Sequence, residues 1–362
     1  MADFPWLMPL SHRNDIHFTP TPRDFIVEEI PLYPFAGEGE HAVVCVRKKE
    51  LTTWEMIRIF SESLGIAQRE IGYAGLKDKH AMTIQYLSFP ARYLSQMEAF
   101  AHPAIKVLSV TRHTNKLRLG HLKGNRFSLR LKKVLGVQQA KIDSVLDWIE
   151  ANGMPNYFGY QRFGMFGDNW KEGKELAEGH HRMRDRKKRQ FLISAWQSKL
   201  FNDWLSKRIE MSRLLETFEA SEVERILSLP EQTLSDTRSQ HHFFKLLRGD
   251  VMMHYPHGRI FHAEDLEEES KKFSAQDRAP TGLIPGKRVQ RAIENARILE
   301  RAFDVTIPEN GSRRYAWIWP GDIVRRYLPE KAHYELDFTL PKGAYATNLV
   351  AMLRGRQESM NG

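Results

Sequence analysis

Alternation of apolar and polar residues dominates the first part of the chain. Phe25–Ile30 (FIVEEI) and His41–Arg47 (HAVVCVR) carry the β-branched residues and the period of two that predict strands. Met82–Phe89 and Ile105–Thr111 read the same way. In Arg126–Lys132, Phe127, Leu129 and Leu131 share one face while Arg130 and Lys132 take the other. Gly124-Asn125 ahead of it has the composition of a hairpin turn. Helical spacing appears over Leu51–Gly65, where Trp54, Ile57, Phe60 and Leu64 recur, Thr52 and Glu55 form a capping-box pattern and Gly65 closes the segment. Val137–Asn152 predicts a second helix, stopped by Gly153 and Pro155.

The texture then changes. From Asn156 to about Ala302 the pattern is mostly helical, with long helices expected near Leu192–Met211 and Lys287–Ala302 and an irregular, charged section over Leu215–Pro285. Alternation returns in Tyr334–Leu340 (YELDFTL), followed by a terminal helix over Thr347–Arg354. A closing strand and helix with the texture of the first part predict an inserted domain. The domain limits read this way are 1–152, 153–319 and 320–362, with the last strand rejoining the first sheet. The fold class expected is α+β.

At 362 residues the chain can build two or three domains, and 41% apolar with 27% charged residues is ordinary globular composition. There is no apolar run of about 18 residues to span a membrane, and the N-terminus has no secretory pattern. The single cysteine, Cys45, excludes an internal disulfide framework and fits a reducing cytoplasm; its apolar setting predicts a buried thiol. Net charge is +9. Its distribution is more informative: the 44 residues from Ala99 to Ile142 hold ten Lys or Arg and no Asp or Glu. A second basic cluster spans Arg182–Arg189. Such stretches predict a surface that tracks phosphates.

Several chemistries lack their residues. His262-Ala-Glu264 and His333-Tyr-Glu335 offer half of a zinc-deaminase signature, but one cysteine cannot supply the other half. Gly282–Lys287 imitates a phosphate loop one residue short, with Arg288 where a magnesium-binding hydroxyl belongs. Gly37-Glu-Gly39 lacks the third glycine of a dinucleotide fingerprint. The pairs His180-His181 and His241-His242 sit among polar residues and predict no metal site. The expected reaction therefore needs only acid, base or nucleophile groups, with no cofactor, no metal and no obligate protein partner.

One segment stands apart. Ile71–Pro90 (IGYAGLKDKHAMTIQYLSFP) sets its only carboxylate, Asp78, between Lys77 and Lys79. In a basic chain such an acid repels phosphate unless it has a task. Together with PRDFIVEE (Pro22–Glu29), HTNKLRLGHLKGNRF (His113–Phe127), PNYFGYQRFG (Pro155–Gly164), RDRKKRQFLISAWQSKLFN (Arg184–Asn202), PTGLIPG (Pro280–Gly286) and LPKGAYAT (Leu340–Thr347), the segment resembles the TruD family of tRNA pseudouridine synthases, motif by motif and in the family's order.

The resemblance implies a pseudouridine-synthase catalytic domain on a mixed sheet and an inserted α/β domain, with RNA in a basic cleft between them. It makes Asp78 the catalytic aspartate. It implies substrate contacts for Phe25, Asn125, Phe127 and Tyr345, the last standing where relatives often carry phenylalanine. RNA-facing cations are expected at Lys77, Lys79, Lys123, Arg126, Arg162, Arg184 and Arg186; His80 reads as structural or RNA-facing. The implied substrate is uridine 13 of tRNA, flipped from its stack, in the cytoplasm. Asp78 could attack the sugar, attack the base or remove a proton. The rival reading is a catalytically silent RNA-binding module on the same scaffold.

Overall fold

The computed structural model of the protein describes residues 14–77, 79, 81–164 and 166–355. The chain divides into two compact units. One comprises Asp15–Ala140 and Pro320–Gly343; the other comprises Lys141–Trp319 and the segment from Ala344.

The first unit is built on a mixed sheet. Its strands are β1 (Phe25–Pro31), β2 (His41–Lys48), β3 (Gly72–Tyr73), β4 (Met82–Pro90), β5 (Ile105–His113) and β6 (Leu122–Lys132), completed by β13 (Gly321–Leu328) and β14 (His333–Pro341) from the far end of the chain. The order is β13-β14-β6-β1-β4-β2-β5, with β3 attached to β4. The β1–β4 pair is parallel and its neighbours are antiparallel. The alternation read from sequence fixes which face is covered: Phe25, Val27 and Glu29 of β1 turn inward, as do Tyr334, Leu336, Phe338 and Leu340 of β14. Helix α1 (Thr53–Leu64) covers one end of that face. It starts with the expected capping box between Thr52 and Glu55 and ends on Gly65 in the left-handed conformation. Met56, Ile57 and Phe60 pack on Val44, Val46, Leu87 and Phe89. Each such fully buried side chain contributes roughly 1.5–3 kcal/mol of transfer free energy.

Gly124-Asn125 is not a turn. Both residues lie inside β6, with Gly124 opposite Ile30 and Asn125 opposite Glu29. Strands pair on both sides of β6 here, and these ladders override the local turn preference. Gly124 is required for a different reason: a Cβ there would lie 2.3 Å from the Leu340 carbonyl oxygen.

In the second unit a 30-residue helix, α5 (Arg186–Leu215), lies against a four-stranded sheet. Helix α2 (Leu94–Glu98) belongs to the first unit, α3 (Gly136–Asn152) crosses from its sequence into that of the second, and α4 (Asn169–Glu178) precedes α5. The sheet joins β8 (Val251–His254), β9 (Ile260–His262), β10 (Arg278–Ile284) and β11 (Ser312–Tyr315). These strands fall largely in the section expected to be irregular. A smaller pair joins β7 (Met154–Pro155) to β12 (Trp317–Ile318). Gly282 of β10 lets the helix approach, since a Cβ there would come within 2.3 Å of the Trp204 ring. Buried Arg208 forks onto Asp250 with two contacts of 2.7 Å.

The helix expected over Lys287–Ala302 is short, α8 (Glu294–Glu300). Arg288 has φ +56°, and Arg291 and Arg297 both reach Asp304, at 2.7 and 2.6 Å. Ahead of α8, Arg291 is held by this side-chain bonding where helix was expected. The compact units also divide the chain differently from the sequence-based limits. Most of α3 and the terminal helix α9 (Ala346–Arg354) belong with Lys141–Trp319. The Asn152 carbonyl accepts from Trp317 Nε1 at 2.6 Å, and Asn348 donates to the Tyr157 carbonyl at 2.7 Å. These bonds tie both helices to that unit. His242, read from sequence as sitting in polar surroundings, is instead buried beside Phe273, with ring centroids 4.0 Å apart.

Candidate active site

In the first unit the covered face of the sheet changes character along its strands. One end is aromatic. Phe127 lies between Phe25 and Phe338, with centroids 6.2 and 5.4 Å away and rings within 22° of parallel. Phe25 and Phe127 are therefore buried rungs of a core stack, 8% and 5% exposed. The other end is polar. The register puts Asn125 beside Glu29 of β1, and Thr83 and Gln85 follow on β4.

This polar end holds the start of the Lys-Asp-Lys-His segment. The Lys77 ammonium donates to Glu29 Oε2 at 2.8 Å, with side chains 6% and 1% exposed. The Lys77 backbone N–H donates to Thr53 Oγ1 at 2.9 Å, and that hydroxyl donates to Gln85 Oε1 at 3.1 Å. The Tyr86 N–H reaches Glu29 Oε1 at 3.3 Å. Gly75 completes the arrangement, because a Cβ there would sit 2.9 Å from the Lys77 nitrogen. The residue before Asp78 is thus fixed by its main chain and by its side chain. Asp78 and His80 themselves lie outside the described residues.

Three atoms at this polar end lack partners. Asn125 Oδ1, Thr83 Oγ1 and Gln85 Nε2 are buried and make no hydrogen bond. A buried polar atom left unpaired costs about 1–3 kcal/mol, and such atoms call for an explanation, a ligand being one. Thr83 and Gln85 had no sequence signal beyond their inward register in β4.

Tyr345 belongs to the second unit, at the N-terminus of α9. It is half-buried and faces Phe158 at 6.3 Å between centroids. The Arg314 guanidinium lies 4.0 Å from the Phe158 ring and 6.0 Å from the Tyr345 ring. Burial pulls the Arg314 guanidinium down to about 10. Arg162 donates to Ser198 Oγ at 3.2 Å and stands 5.8 Å from Phe158. Arg314, which no motif marked, packs against both rings. Gly159 keeps the ring accessible, since a Cβ there would crowd Tyr345 at 3.1 Å.

The expected RNA-facing cations divide into groups. Lys77 is buried and paired with Glu29, so its ammonium is neutralised inside the fold. Lys79 is exposed, 3.9 Å from Glu55. Lys123 is exposed, and Arg126 pairs loosely with Asp322 at 3.4 Å. Arg184 and Arg186 are exposed where α5 begins. Surface pairs of this kind are weak and yield readily to a polyanion.

A family model described as tRNA pseudouridine synthase D (TruD) matches residues 15–183 and 168–353. The chain belongs to the TruD family. A relative from Wolinella succinogenes, named tRNA pseudouridine synthase D, is 52% identical over 95% of this chain and 96% of its own. One from Helicobacter pylori J99 with the same name is 43% identical over 98% of each chain. A crystal structure titled putative tRNA pseudouridine synthase D (TruD), from Methanosarcina mazei, has the same fold, with a TM-score of 0.61 at 20% identity over 96% of each chain. Among the described residues no helix is long and apolar enough to cross a membrane.

Proposed function

We propose that this TruD-family isomerase converts uridine 13 of cytoplasmic tRNA to pseudouridine, with Asp78 as the catalytic carboxylate. The observation that carries the proposal is the double anchoring of Lys77 beside the unpartnered Asn125 Oδ1. A backbone hydrogen bond and a buried ion pair fix Lys77, the residue that precedes Asp78 in the chain, and an unpaired amide oxygen is an acceptor waiting for a donor. The N3–H of uracil is such a donor.

The reaction is an isomerisation, so its atoms balance internally. The bond from ribose C1′ to uracil N1 breaks, the base turns, and a bond from C1′ to C5 forms. C5 gives up its proton and N1 gains one. A carboxylate at position 78 serves as nucleophile toward sugar or base, or stabilises charge developing at C1′. The amide of Asn125 holds the uracil edge while the base turns, and the Phe25–Phe127–Phe338 stack holds the strand carrying that amide rigid. Tyr345 supplies a further aromatic surface; stacking of a base on such a ring is worth about 1–3 kcal/mol. Lys79, Lys123, Arg126, Arg162, Arg184 and Arg186 meet the phosphates. The test is Asp78→Asn with position-resolved mapping of pseudouridine in tRNA. Loss of the modified base with tRNA binding retained supports the proposal. Unchanged modification refutes Asp78, and wild-type protein that binds tRNA without modifying it is an RNA-binding module.

A further inference from the structure

The first unit carries a cavity of about 490 Å³ whose lining includes neither Asn125 nor Gln85. Tyr33, Pro34, His113, Lys116, Arg118 and His121 line it. That volume suits a nucleotide-sized ligand. Among the described residues no carboxylate lines the cavity.

Its lining includes several hydrogen-bond donors. His113 is buried, and its Nδ1 accepts from the Ala36 N–H at 3.3 Å, which leaves the ring proton on Nε2. Tyr33 shares a hydrogen bond between its hydroxyl and His121 Nδ1 at 2.8 Å, with the direction set by the His121 tautomer. Lys116 gives one ammonium proton to the Arg69 carbonyl at 2.5 Å and keeps two. Arg118 is exposed and brings a full guanidinium fork. Tyr33 stacks on His113 with centroids 5.1 Å apart, so the wall is rigid and aromatic.

The cavity is coupled to the Asp78 segment through the backbone. The Gly120 N–H donates to the Ala74 carbonyl at 2.8 Å, and the Leu117 N–H donates to Ser88 Oγ at 2.9 Å. Gly72 is needed for this contact, because a Cβ there would lie 2.4 Å from the Leu117 carbonyl oxygen. The loop bearing Lys116 and Arg118 is thereby fixed on the chain that leads into Lys77 and Asp78.

We propose that this cavity is a second RNA subsite, which takes the phosphate of a nucleotide other than the isomerised uridine and sets its base or sugar against Tyr33 and Pro34. The proposal rests on the reading that tRNA is the substrate. It is tested on the full chain with Arg118→Ala, Arg118→Lys and, as a control, Lys331→Ala, an exposed cation of the same unit outside the cavity. The readouts are the Kd for a tRNA transcript across a salt series and the phosphates at which ethylation blocks binding. Arg118→Ala is expected to weaken binding about 5–10-fold, lower the salt slope by about one and erase interference at one discrete phosphate. Arg118→Lys is expected to restore the slope but not the full affinity, since an ammonium lacks the fork. Lys331→Ala is expected to stay within about twofold of wild type. An unchanged ethylation pattern in Arg118→Ala, or a Lys331→Ala loss equal to that of Arg118→Ala, overturns the subsite. Wild-type protein that binds tRNA yet forms no pseudouridine refutes the catalytic reading instead and leaves the subsite standing. Failure to bind tRNA at all refutes both.

Discussion

The ion pair between Lys77 and Glu29 is the most consequential structural contact beside Asp78. Both side chains are almost wholly buried and their charged atoms are 2.8 Å apart. Glu29→Gln removes one charge and keeps the shape. The Lys77 ammonium is then buried without its partner, and breaking such a pair from one side costs about 3–5 kcal/mol. In a unit of this size each kcal/mol lowers Tm by roughly 2–4 °C, so the expected fall is of the order of 10 °C. Lys77 can reduce that loss only by leaving the interior. That movement would pull on the backbone held by Thr53 and displace the following residue. A misplacement near 1 Å costs about 100-fold in rate. The paired change Glu29→Leu with Lys77→Met replaces the ions with apolar volume and is expected to recover most of the stability. Denaturant unfolding gives the stabilities; release of tritium from C5-labelled uridine in tRNA gives the rate. The reasoning is refuted if Glu29→Gln unfolds and reacts like wild type, or if the double variant loses the sum of the two single losses.

Asn125→Leu removes a buried acceptor that the free protein leaves unpaired. It is expected to keep or raise Tm while lowering kcat/KM by at least about 10-fold; a loss of stability with activity intact contradicts the assigned role. His242 gives a pH prediction. Burial pulls its imidazole down to about 4, and the neutral ring already satisfies both nitrogens, with Nε2 on the Asn152 carbonyl at 2.9 Å and Nδ1 on the Phe244 N–H at 3.0 Å. The unfolded chain binds this proton more tightly, so stability is full above the unfolded value near 6.5 and falls as pH drops toward about 4. The loss reaches roughly 3 kcal/mol. His242→Gln is expected to flatten the unfolding free energy over that window, and a profile as steep as wild type contradicts it.

What the sequence conveyed follows the range of the forces involved. The capping box of Thr52 and Glu55 and the closing Gly65 are local, so α1 was legible to within two residues. The inward face of β14 follows from alternation alone. Gly124-Asn125 misled because its partners, Glu29 and Leu340, lie far away in the chain and impose an extended backbone. The helix expected from Lys287 starts only at Glu294, with Arg291 ahead of it bound to Asp304 from farther along the chain. Strands as short as Ile260–His262 leave almost no periodic signal. Asp78, Asn125 and Tyr345 were singled out only through resemblance. The burial of Lys77 was not legible, because a Lys beside an Asp in a basic chain reads as surface until Glu29 is seen against it. Arg314, under the Tyr345 and Phe158 rings, carries no motif and emerges only from the packing.

The central claim is that the carboxylate at position 78 performs the isomerisation. Its most direct test is nucleotide-resolved pseudouridine mapping on one tRNA transcript treated with wild-type protein or with Asp78→Asn, with the Kd of both proteins measured on the same RNA. The account predicts pseudouridine at position 13 with wild type, none with Asp78→Asn, and dissociation constants within about threefold of each other. Pseudouridine formed at that position by Asp78→Asn would contradict it.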